Sequence, residues 1–136
     1  MNVLIIEDEK MLLMALEEEF KRKKCSVFTA EDGDQGWQIL SKHPALDMIV
    51  LDLVLPKIDG FELLKNIKAD DKLKTTPLVV LTNLSDENTI AAIVASGGTD
   101  YLVKADYTLQ EVVGKIIEIA KRPAFEKYRK LQSPIT

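Results

Sequence analysis

Three short runs, residues 3–6, 48–51 and 78–81, are apolar at every position rather than at every second one. A strand with one face in water alternates polar and apolar side chains, so an unbroken apolar run must be covered on both faces. That requirement points to a parallel sheet sandwiched between helices. Two weaker runs, residues 26–30 and 101–103, bring the expected strand count to five.

The intervening segments carry helical periodicity. In residues 11–22, Leu12, Leu13, Ala15, Leu16 and Phe20 share one side while Glu17, Glu18 and Lys21 face outward. A second helix is expected over about residues 35–41, capped by Asp32 or Asp34 and ended before His43-Pro44, because a residue preceding proline avoids helix. A third starts at Asp59, with Glu62 placed to complete a capping box. A fourth spans residues 86–95, capped by Ser85 and closed by Gly97-Gly98, and a fifth runs from the Thr108…Glu111 capping box to about Lys121. Strand and helix alternate five times, so the expected fold is α/β: a doubly wound five-stranded parallel sheet with five flanking helices.

The chain has 136 residues, enough for one domain with a full core. Residues 1–121 are assigned to that domain and 122–136 to a C-terminal extension or linker stub. In the extension Phe125, Tyr128 and Leu131 recur at helical spacing, compatible with a helix extension or with a docking or dimerising stripe. The net charge of -4 argues against direct nucleic-acid binding. Every apolar run is far shorter than the roughly 20 residues that cross a bilayer. A lone cysteine, Cys25, and a start without signal-peptide character make a reducing cytoplasm the expected location.

In doubly wound sheets, ligands bind beyond the carboxyl ends of the strands. The residues found there are Glu7 and Asp8 after the first strand, Asp52 ending the third, Thr82 after the fourth and Lys104 after the fifth. Three clustered carboxylates repel unless a cation lies among them, and Mg²⁺ suits such ligands because it takes few carboxylates and accepts phosphate oxygens. Asp52 is a candidate nucleophile, Lys104 a second cation for developing phosphoryl charge, and Thr82 a hydroxyl donor. His43, Trp37 and Cys25 are expected to be a loop residue and two packing residues. Lys21, Arg22, Lys23 and Lys24 are expected to form a solvated helix end.

Four segments carry a resemblance: Val3-Leu4-Ile5-Ile6-Glu7-Asp8-Glu9, Asp52-Leu53-Val54-Leu55-Pro56-Lys57-Ile58-Asp59-Gly60, Leu81-Thr82-Asn83 and Gly97-Gly98-Thr99-Asp100-Tyr101-Leu102-Val103-Lys104. In this order the chain resembles the receiver domain of response regulators, the phosphoacceptor of two-component signalling, over about residues 1–121. The resemblance is to chemotaxis-regulator-like receivers and implies a flavodoxin-like fold. It further implies phosphorylation of Asp52 by a sensor histidine kinase or phosphotransfer protein. Mg²⁺ would be held by Glu7, Asp8, Asp52 and the Val54 carbonyl, with Thr82 and Lys104 on the phosphoryl group. Tyr101 would be the switch aromatic that, with Thr82, remodels the surface of the fourth helix, fifth strand and fifth helix for a downstream protein. Such a chain catalyses its own phosphorylation and slow dephosphorylation and is not a turnover enzyme.

The chain departs from the family pattern twice. Ala105 replaces a usual proline, leaving the Lys104-Ala105 peptide either trans with an adjusted loop or cis, and Asn83 replaces a small residue, narrowing access to the phosphoryl group. Two other functions compete. A haloacid-dehalogenase-type phosphohydrolase also uses an Asp nucleophile and Mg²⁺, but needs a second acid where Val54 stands. A phosphorylation-independent, receiver-like interaction module is the other alternative.

Overall fold

The computed structural model describes residues 1–96 and 100–122. Five parallel strands, β1 (Asn2–Ile6), β2 (Ser26–Ala30), β3 (Met48–Leu51), β4 (Leu78–Thr82) and β5 (Asp100–Val103), form one sheet in the order β2-β1-β3-β4-β5. Among the described residues five α-helices connect and follow them: α1 (Lys10–Arg22), α2 (Gly33–Leu40), α3 (Gly60–Ala69), α4 (Glu87–Ala95) and α5 (Leu109–Ala120). A single 3₁₀ turn, η1 (Lys104–Asp106), lies between β5 and α5.

The unbroken apolar runs are explained by two cores, one on each face. Leu4, Ile6, Ile49, Leu51, Leu78 and Val80 point to one side, where Leu63, Leu64 and Ile67 of α3 and Ile93 of α4 cover them. Val3, Ile5, Met48, Val50, Val79 and Leu81 point to the other, onto Leu13, Leu16 and Phe20 of α1 and Val112, Val113 and Ile116 of α5. Alternate side chains of each inner strand thus feed opposite cores.

Helix boundaries shift where local chemistry outweighs pattern. Helix α2 begins two residues earlier than expected because the Asp32 carboxylate accepts the Gln35 amide at 2.7 Å, drawing Gly33 and Asp34 into the first turn. Asp86, not Ser85, caps α4: its carboxylate accepts both the Thr89 amide, at 3.0 Å, and the Thr89 hydroxyl, at 2.6 Å. The Thr108–Glu111 capping box of α5 forms as expected. The box expected at α3 does not: Asp59 takes the Phe61 amide one position earlier in the turn, and Glu62 is exposed to solvent. The expected closure of α4 by Gly97-Gly98 and the stripe of Phe125, Tyr128 and Leu131 lie outside the described residues. Arg122, the first residue assigned to the extension, is tied back to the sheet by a 3.0 Å contact with Asp100.

His43 sits in the turn after α2 with φ 50, exposed as expected, and its ring lies 3.3 Å from the Asp70 carboxylate, a neighbour that only the fold supplies. Trp37 packs partly buried against the first core, Cys25 against the second, and residues 21–24 are exposed. Among the described residues no helix is long and apolar enough to cross a membrane.

Candidate functional site

Strand order reverses between β1 and β3: from β1 the chain goes to β2 on one side and then returns to β3 on the other. The crevice opened by this reversal lies beyond the strands' carboxyl ends. Backbone bonds fix its rim, with the Glu7 amide donating to Ala30 O and the Asp52 amide to Ile6 O, each at 3.0 Å. A cleft of about 230 Å³ opens there, lined by Glu7, Asp8, Asp52, Val54, Thr82, Asn83 and Lys104 among others. All five side chains singled out for chemistry therefore meet at one place.

The fold separates Glu7 from Asp8, which the sequence presents as an equivalent pair. Glu7 is 2 % exposed, whereas Asp8 is open to solvent. The Glu7 carboxylate is oriented by the Glu9 amide, which donates to Oε2 at 2.9 Å. Its other oxygen, Oε1, lies 2.6 Å from Lys104 Nζ in a close ion pair. Asp52, 5 % exposed, accepts the Val54 amide on Oδ1 at 3.3 Å and Lys104 Nζ on Oδ2 at 2.9 Å. One ammonium thus bridges two buried carboxylates.

Burial pushes the Glu7 carboxyl above its ordinary range; the Lys104 ammonium and the Glu9 amide oppose that rise, and the charge of Asp52 adds to it. Burial also works against the charge on Lys104, but hydrogen bonding and charge from Glu7 and Asp52 prevail and raise its pKa. The result is a site with excess negative charge in which one ammonium is shared by two buried carboxylates.

That donor set fits a hard divalent cation. Carboxylate oxygens of Glu7, Asp8 and Asp52 lie within 4.8 Å of one another, and a single ammonium faces these three carboxylates. Val54, 55 % exposed, lies on the rim next to Asp52.

Thr82 is the last residue of β4 rather than the first of the loop, and it is fully buried. Its hydroxyl accepts the Leu84 amide at 3.4 Å, leaving its own hydrogen to be donated. Lys104 opens η1, and among the described residues every peptide bond is trans, including Lys104-Ala105. Tyr101 is half-buried in β5, paired in register with Val80 and packed against the first core. Asn83 is exposed at the cleft, and its Oδ1 accepts the Ala105 amide at 3.0 Å. Neither residue type alone signals that contact in the sequence.

A parallel sheet in this order, with carboxylates, a hydroxyl and a lysine gathered at its strand ends, defines a class of doubly wound α/β domains with an acidic site at the point where strand order reverses. The family model described as "Response regulator receiver domain" matches residues 3–116, and the chain belongs to that family. The transcriptional regulatory protein AfsQ1 of Streptomyces coelicolor is 38% identical over 103 residues, covering 76% of this chain and 44% of AfsQ1. A putative response regulator from Chloroflexus aurantiacus superimposes with a TM-score of 0.78 at 30% identity, covering 89% of this chain and 98% of that one. The Mn(2+)-bound form of response regulator Rcp1 superimposes with a TM-score of 0.74 at 29% identity, covering 87% and 90%. The chain spans about half the length of the curated relatives it matches.

Proposed function

We propose that this chain is a Mg²⁺-dependent phosphoacceptor switch of a two-component system, phosphorylated on Asp52 by a histidine kinase or phosphotransfer protein. The observation that carries this reading is the bridging of the buried Asp52 and Glu7 carboxylates by one partly buried lysine at the mouth of a cleft that also holds Asp8 and Thr82.

In the transfer step a carboxylate oxygen of Asp52 bonds to phosphorus as the bond from phosphorus to the donor's imidazole nitrogen breaks. The donor's electron pair stays on its ring. Lys104, already paired with Asp52, offsets charge gathering on the phosphoryl oxygens, and Thr82 donates its hydroxyl hydrogen to one of them. Glu7 keeps the lysine from swinging to solvent. Glu7, Asp8, Asp52 and the Val54 carbonyl would hold Mg²⁺, which supplies charge neutralisation at the phosphoryl oxygens. A divalent ion in the related Rcp1 supports this ligand chemistry.

Val54 provides no general acid, so the acyl phosphate persists and the chain acts as a switch, not a turnover phosphatase. Movement of Thr82 toward the phosphoryl group, followed by Tyr101, would bias the α4–β5–α5 surface between two packings for a cytoplasmic partner protein. Incubation with Mg²⁺ and acetyl phosphate is expected to add one phosphate by intact mass, absent from Asp52→Asn and after chelation. Failure to form the adduct with any phosphodonor would sink the proposal.

A further inference from the structure

Asn83 and Ala105, the two departures from the receiver pattern, touch each other in the fold. Ala105 is the second residue of η1, whose N-cap, Val103, has no side-chain cap hydrogen bond. The first amides of a helical turn lack acceptors within the turn and need one from elsewhere. Asn83, on the loop leaving β4, supplies it: its Oδ1 accepts the Ala105 amide at 3.0 Å. A proline has no N–H, so this bond exists only because position 105 is not proline. Asn83 directly follows Thr82, and Ala105 directly follows Lys104. The bond therefore clamps together the two backbone segments that carry the hydroxyl and the ammonium of the site.

We infer that Asn83 is a positioning residue for phosphoryl transfer: its amide oxygen holds the trans Lys104-Ala105 segment so that Lys104 Nζ reaches Asp52. The inference rests on the proposed phosphoacceptor function. Asn83 needs no contact with the phosphoryl group for this role, since it acts through the turn that presents Lys104. Ala105 and Asp106 are both exposed, so little packing otherwise restrains that turn.

The test uses the full chain with Mg²⁺, comparing wild type, Asn83→Ala and Asn83→Asp. Adduct formation with acetyl phosphate is followed by intact mass, and the Ala105 amide by NMR hydrogen exchange. Asn83→Ala is expected to slow phosphorylation about fivefold and speed Ala105 exchange by about the same factor, the effect of losing one net hydrogen bond. Its thermal midpoint stays close to wild type, because an exposed loop side chain contributes little to global stability. Asn83→Asp keeps the acceptor, so Ala105 protection is retained.

A wild-type phosphorylation rate in Asn83→Ala, or unchanged Ala105 exchange, overturns the inference, as does loss of protection in Asn83→Asp, which would implicate the side-chain N–H₂ rather than the acceptor oxygen. If wild type itself takes up no phosphate, the functional reading has failed instead. The clamp is then judged on exchange alone: faster exchange in Asn83→Ala sustains it, and unchanged exchange overturns it.

Discussion

A methyl group added at Gly60 would enter space already filled by the backbone that follows Asp52. Its Cβ would lie 2.3 Å from Leu53 Cα, 2.4 Å from Asp52 O and 2.6 Å from Leu53 O. Ordinary carbon contacts are about 3.5–4.0 Å, so the overlap is about 1 Å against main-chain atoms that no rotamer change can move. Either α3 or the segment after β3 must shift, straining the 3.0 Å bond from the Gly60 amide to Leu53 O. Overpacking costs about 1–3 kcal/mol and the lost bond about 1 kcal/mol. The reduced freedom of the unfolded chain returns about 0.4–1 kcal/mol. Gly60→Ala is therefore expected to lose about 2 kcal/mol, and with a urea slope of about 1–3 kcal/mol/M the midpoint falls by about 1 M.

Fluorescence of Trp37, the only tryptophan, reports the transition. The control is Gly114→Ala in α5, where a Cβ meets nothing within 4 Å. There the same chemical change should stabilise by about 1 kcal/mol, the difference in helix propensity. Because the clash displaces the Asp52 backbone, phosphate uptake should slow in Gly60→Ala and remain normal in Gly114→Ala. An unchanged midpoint for Gly60→Ala, or equal shifts in the same direction for both variants, would refute the reasoning.

Replacing Lys104 with Met leaves Glu7 and Asp52 buried without their shared cation; urea denaturation should show a loss of about 1–3 kcal/mol at neutral pH, reduced by Mg²⁺. The Glu7 carboxyl is already raised by burial, so its penalty is absent below its unfolded value of 4.5 and grows as pH rises through the folded one. The loss in Lys104→Met should accordingly shrink in acid, and a pH-independent loss would contradict this account. Thr108→Ala removes half of the α5 capping box and should cost about 1 kcal/mol, read by thermal unfolding. The Asp86 carboxyl, held below 3.8 chiefly by the Thr89 hydroxyl, stabilises α4 above that value and stops doing so as pH falls through its folded pKa. Amide protection factors in α4, with the intrinsic pH dependence of exchange divided out, should therefore be constant near neutral pH and fall in strong acid, a dependence absent from Asp86→Asn.

The strands and their burial were legible because a run such as Met48 to Leu51 has only one stable environment, covered on both faces. The convergence of the candidate residues was legible for a related reason, since each lies at or just after the end of a strand that is easily located. Helix starts were less so. Asp59 and Asp86 both offer carboxylates, and which amide each reaches depends on local backbone geometry, to which residue spacing is nearly blind.

By itself the sequence determined the five-fold alternation of strand and helix and the set Glu7, Asp8, Asp52, Thr82 and Lys104, because period and strand-end position are properties of the chain. Only the tertiary structure decided that Glu7 is buried while Asp8 is not, that one ammonium serves two carboxylates, and that Asn83 meets the Ala105 amide. Those relations join residues 22 to 97 positions apart, or split neighbours one position apart, across a strand order that local pattern does not encode. They depend on distance and solvent access, quantities that arise only when β1, β3, β4 and β5 are placed side by side.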